Sequence, residues 1–80
     1  MSLRIIVKPD KIQTWIAARN GTPARRRGTD ADFRILFGNE DGDYERITLG
    51  ELIETMKFSH LVLLVDQEAG KTFHKFVERG

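Results

Sequence analysis

Between Lys11 and Thr29 the chain passes from an amphipathic helical pattern to an abrupt stop, and then to three consecutive arginines. No other stretch so restricts what it can fold into. Ile12, Trp15, Ile16 and Arg19 fall at i, i+3, i+4 and i+7, the spacing that lines one face of a helix. Pro9 suits a first helical turn, where its missing N–H has no partner to lose, and Asp10 complements the positive end of the helix dipole. Asn20-Gly21 supplies a left-handed stop and Pro23 prevents resumption. A helix is therefore expected over 9–19, with Trp15 on the face that meets a core.

A second helical pattern follows. Thr48-Leu49-Gly50-Glu51 is a capping box, in which the threonine oxygen accepts from the Glu51 N–H and the glutamate reaches back. Leu49, Leu52, Ile53 and Met56 continue it at helical spacing, with Glu51, Glu54 and Lys57 outward and a Glu54–Lys57 contact expected. This predicts a helix over 49–58. Strands are expected around the helices: Leu3 to Val7, an extended Pro23 to Gly28, Phe33 to Phe37, Tyr44 to Ile47, Leu61 to Asp66 and Thr72 to Val77. Asp41-Gly42 is a hairpin signal that would return Tyr44–Ile47 antiparallel to Phe33–Phe37. In the last strand Phe73 and Lys75 share one face, and His74 and Phe76 the other. No internal repeat, linker or low-complexity segment is visible. The order β-α-β-β-β-α-β-β implies an α+β fold: a small, mainly antiparallel sheet with two helices packed on one face, in a single domain over 1–80.

Eighty residues support one modest core, and 40% hydrophobic with 31% charged residues is a globular balance. The absence of cysteine removes disulfides, thiolate metal sites and thiol nucleophiles, and it fits a cytoplasmic location. The longest apolar run, Leu61 to Val65, is far below the roughly 20 residues of a membrane span. The opening Met-Ser-Leu-Arg-Ile-Ile-Val is too short, and too soon charged, for a secretory signal. A formal charge of +1 neither demands nor excludes a nucleic-acid partner, so only local clustering can speak to one.

Trp15 and Arg19 on the first helix, Gly21, Pro23 and Ala24 beyond it, and the Gly28-Thr29 pair form one set of landmarks. Phe33-Arg34-Ile35-Leu36-Phe37, Ile47-Thr48, Leu61 to Val65 and Phe73-His74-Lys75-Phe76-Val77 complete it. In these landmarks the chain resembles a family of short uncharacterised bacterial proteins, some of which carry a glucan-branching label. The resemblance covers nearly the whole chain and rests on packing residues. It departs at Leu49, Leu52 and Ile53, where the family favours aromatics, and at Leu36, where the family has an acid. It implies the fold and no mechanism. A glucan-branching barrel needs roughly 200 residues or more, so that label does not apply to this chain.

Arg25, Arg26 and Arg27, with Arg19 nearby, are the leading binding candidates, because guanidinium forks fit phosphate oxygens. The plainer reading of the same residues is a solvated basic loop that pairs with Asp30, Asp32 or the acidic loop after Gly38. Lys75, between aromatic residues, is a further candidate or simply a lysine whose stem covers apolar surface. Asn39, Asp41 and Asp43 alternate like a calcium loop, but the sixth and twelfth positions hold Tyr44 and Gly50 instead of glycine and glutamate. His60 and His74 lack a third ligand at metal spacing, and Ser59-His60 are neighbours that diverge rather than pair. No cofactor, metal or catalytic group is therefore expected. The expectation is a non-enzymatic interaction module that binds a protein partner or its own copy through a sheet edge or apolar patch. The alternative is weak phosphate or nucleic-acid binding through Arg25–Arg27.

Overall fold

A computed structural model describes residues 2–29, 32–38 and 42–79. In chain order the elements are β1 (Leu3–Ile6), α1 (Pro9–Ala18), β2 (Gly21–Arg26), β3 (Phe33–Phe37), β4 (Tyr44–Arg46), α2 (Leu49–Phe58), β5 (Leu61–Asp66) and β6 (His74–Glu78). The fold is α+β, and every strand pairing is antiparallel. The strands divide between two three-stranded sheets, ordered β1-β5-β6 and β3-β2-β4, rather than forming one.

Both helices follow from local chemistry. Pro9 opens α1, while α2 carries the full capping box: Glu51 N–H donates to Thr48 Oγ1 at 3.1 Å and Thr48 N–H to Glu51 Oε1 at 3.4 Å. Two residues separate each helix from the strand that follows, and the second of them is in the left-handed region, Asn20 (φ 55°) and His60 (φ 56°). The first was foreseen; the second had no glycine or asparagine to announce it.

The hairpin expected between β3 and β4 does not form. β4 lies instead against the far edge of β2, with Arg25 opposite Glu45. The outer edge of β3 is turned toward β6, where the Ile35 N–H donates to His74 Nε2 at 3.1 Å. Of the residues invoked for that turn, Asn39 and Asp41 lie outside those described, as does Asp30. Pro23 is tolerated in a central strand because its missing N–H falls on the last rung beside β4. There Pro23 O accepts from Ile47 N–H at 3.0 Å before the chain leaves for α2.

The arrangement contains a duplication that the residues conceal. α1 and α2 begin 40 residues apart, and so do β2 and β5. Exchanging β1 with β4, β2 with β5 and β3 with β6 converts one sheet order into the other. Each half is a β-α-β-β unit whose first strand completes the other half's sheet. The Phe33–Phe76 ring contact (centres 5.3 Å apart) and the Ile35–His74 hydrogen bond are images of each other across this pseudo-twofold. No residue of 8–26 recurs at the equivalent place in 48–66, so sequence inspection could not find the repeat.

Ile6, Ile12, Trp15, Ile16, Phe33, Ile35, Leu52, Met56, Leu63 and Val65 form the core between the helices and the inner faces of both sheets. Trp15 is buried as expected, and its Nε1–H donates to Asp66 O at 2.9 Å, tying α1 to the end of β5. Gly21 is required by close approach: a Cβ there would stand 2.8 Å from Ile35 Cγ2 and 3.0 Å from a Phe37 ring carbon.

Candidate functional site

The five candidate cations are dispersed. Arg19 is committed to the fold. Its Nη1 donates to Trp15 O at 3.1 Å, its Nη2 to Glu68 O at 2.9 Å and Asp66 O at 3.3 Å, and its Nε to Lys71 O. The guanidinium carbon stands 4.4 Å from the Trp15 ring centre, so one side chain laces α1 to the β5–β6 connection. Arg25 and Arg26 point to opposite faces of β2, because successive strand residues alternate. Arg25 pairs with Glu45 at 3.0 Å, Arg26 with Asp32 at 3.6 Å, and Arg27 approaches Glu45 at 4.0 Å while its Nε donates to Gly42 O at 3.0 Å. The Arg25–Arg27 run is thus an ion-paired strand end. Lys75 is exposed on β6, in the other sheet.

Register shows what each sheet turns outward. On β3-β2-β4, Arg34 and Arg46 lie on either side of the fully buried Ala24, and Arg26 lies beside Tyr44. The Arg34 guanidinium carbon sits 4.4 Å from the Tyr44 ring centre, and Tyr44 Oη–H donates to Asp32 Oδ2 at 3.0 Å. Burial raises the Tyr44 hydroxyl above its ordinary value, and the bond to Asp32 adds to the rise. This face is cationic, with arginines roofing a small residue and a tyrosine.

The outward face of β1-β5-β6 is apolar. Ile5, Leu64 and Lys75 form one row across the three strands, and Leu3 precedes them on the same side. Leu3 is 46% exposed, Ile5 56%, Val7 just past β1 46% and Phe73 just before β6 44%, with Leu64 and Val77 half-buried among them. Phe58, on the last turn of α2, is 88% exposed. Asp66 closes the corner near Leu3. Its Oδ1 accepts from Glu68 N–H at 3.0 Å, which holds the carboxyl below its ordinary value.

Two clefts accompany these faces. One, of about 860 Å³, runs between the facing edges of β3 and β6 and is lined by Phe33, Phe37, His74 and Phe76 among others. His74 is fixed there as a neutral ring: Nε2 accepts from Ile35 N–H while Nδ1–H donates to Thr72 O at 3.1 Å. Burial lowers its pKa, the nearby Arg34 charge lowers it further, and the Thr72 carbonyl partly opposes both. The second cleft, of about 330 Å³, lies between the end of β1, α2 and the start of β5. Among the described residues no group of three or more His, Cys, Asp or Glu could hold a metal ion, and no helix is long and apolar enough to cross a membrane.

Sequence reasoning did not single out Arg34, Arg46, Leu3 or Ile5. The alternation within β3 placed Arg34 outward, but only the placement of β4 and β1 at sheet edges brings these residues into two opposed faces. No family model, curated protein or solved structure matches the chain.

Proposed function

We propose that the protein is a non-catalytic interaction module that buries the outer face of β1-β5-β6 against a protein surface, with a second copy of the chain as its simplest partner. The observation that carries this reading is the row of Leu3, Ile5 and Val7 along a strand at the sheet margin, each about half exposed. So much branched aliphatic surface on one face costs free energy in water, and burying it against a like face recovers that cost without new chemistry. Sheets pack face to face about 10 Å apart, and a twofold contact needs only one self-complementary patch. Lys75 is compatible with such a contact, since its stem can cover Leu64 while the amine reaches the rim.

Sedimentation equilibrium is the test. The wild-type chain is expected to show a concentration-dependent dimer, and Ile5→Lys to sediment as a folded monomer. A wild-type monomer at the highest soluble concentration would remove self-association. Failure to co-purify a partner from the native cell that Ile5→Lys loses would then remove the wider reading.

A second reading, weak phosphate or nucleic-acid contact, is favoured by the shared outward orientation of Arg26, Arg34 and Arg46. It moves the candidate site from the Arg25–Arg27 run to the sheet face. Retention of a labelled oligonucleotide at low salt, lost steeply as salt rises, is its signature.

A further inference from the structure

We infer that the cleft between β1, α2 and β5 binds a small organic carboxylate with an apolar tail. Its floor and walls are Val7, the fully buried Ile12, Ile53, Met56, Leu61 and Val62, all apolar. The other groups lining it are Lys57, His60 and Arg79; no acidic side chain lines it. An apolar slot rimmed by cations is complementary to one ligand class: an apolar body ending in a single negative charge.

The rim cations are available. Lys57 makes no ion pair with Glu54, and among the described residues neither Lys57 nor Arg79 has an ion-pair or side-chain hydrogen-bond partner. This separates them from Arg19, Arg25, Arg26 and Arg27, whose donors are spent on carbonyls and carboxylates.

The backbone holds the rim together. His60 takes a left-handed conformation (φ 56°) at the end of α2, and its carbonyl accepts from Arg79 N–H at 2.7 Å. That bond places the start of Arg79 beside the last turn of α2, which carries Lys57. Arg79 can offer a bidentate fork and Lys57 a point charge to the same carboxylate, with a ring N–H from His60 as a third donor. The apolar lining excludes water beneath the head group and so strengthens these charge-assisted bonds. At about 330 Å³ the space is at the small end of ligand sites, suited to a short aliphatic or single-ring acid.

The inference is separable from the docking face, because the two share Val7 alone and each is read by a different measurement. Uniformly labelled full-length protein would be titrated with sodium octanoate and, separately, with octan-1-ol, following backbone amide shifts. The expected result is saturable shifts at Ile53, Met56 and Val62 with octanoate, and binding weaker by about tenfold for the alcohol, the scale of one lost charge-assisted bond. A doubly substituted Lys57→Met, Arg79→Gln chain, whose changes are at exposed positions, should keep its dispersed spectrum and lose about the same tenfold for octanoate alone. Equal affinity for acid and alcohol would overturn the inference. So would shifts spread along Leu3, Ile5 and Leu64 instead of the cleft, or no saturation.

Discussion

The two halves share a backbone plan and diverge in what they turn to solvent. One sheet shows Arg26, Arg34 and Arg46 over Ala24 and Tyr44; the other shows Leu3, Ile5 and Leu64 with a single lysine. Equivalent positions carry different chemistry: Ile5 stands where Arg46 stands, and Asp66 where Arg26 does. The inner faces, by contrast, agree in character, with Ile12 matched by Leu52 and Ile16 by Met56. Packing constrains these helix positions of both units to aliphatic volume. The outer faces share no such requirement, and the proposed docking surface rests on that difference.

The comparison breaks first if the halves do not share one core. Each sheet borrows its edge strand from the other half, so neither half can bury its inner face alone. Ile12→Ala and Leu52→Ala remove fully buried side chains at equivalent places, and each should cost about 2–5 kcal/mol. Urea denaturation followed by far-UV dichroism and by Trp15 fluorescence should give one coincident transition in both variants. If the fluorescence of Trp15, which lies in the first half, survived Leu52→Ala while dichroism fell in two steps, the halves would be separable units.

A smaller effect sharpens the comparison at one corner. Arg19 links α1 to the β5–β6 connection, whereas its equivalent at the end of α2 is Ser59, which has no such role. Arg19→Met preserves the stem over Trp15 but removes the donors, and should cost roughly 1–2 kcal/mol, the scale of hydrogen bonds to a charged group. Ser59→Ala should stay within about 0.5 kcal/mol of wild type, as expected of an exposed position. Amide exchange at residues 66–71 should speed up in the first variant only. Equal costs would mean that Arg19 does no more than any surface residue.

Sequence reasoning succeeded where structure is local. The span of α2 is as expected, because its capping box and apolar spacing lie within ten residues of one another. Trp15 was legible as core from Ile12 and Ile16 alone. Sheet partition was not legible, since β4 pairs with β2 rather than β3, and the β3 edge so left faces β6, where Ile35 N–H meets the distant His74. The apolar run Leu61–Val65 read correctly as a strand, yet its edge partner β1 lies nearly 60 residues earlier, beyond any local pattern. The arginine run was legible in part, since pairing with Asp32 was among its readings and Arg26 makes that pair. Adjacency in sequence suggested one cluster, but strand alternation sends Arg25 and Arg26 to opposite faces and into separate ion pairs.

His74 is where the pseudo-twofold is chemically broken, since its partner position holds Phe33. A neutral ring accepts from Ile35 N–H, and protonation at Nε2 would set two donors against each other. Burial lowers the folded-state pKa below the ordinary 6.5, so the unfolded chain takes up the proton more readily. The associated stability is therefore complete above about pH 6.5 and declines as pH falls from that value through the folded-state pKa, below which it is lost. His74→Phe makes the two halves alike and removes this part of the acid-side slope. It also strands the Ile35 amide, so its neutral-pH stability should drop modestly. Denaturant midpoints measured from about pH 7 down to 5 should show the wild-type curve bending and the variant curve flatter over the same span. Parallel curves would mean that the imidazole between the two strand edges titrates no differently once the chain unfolds.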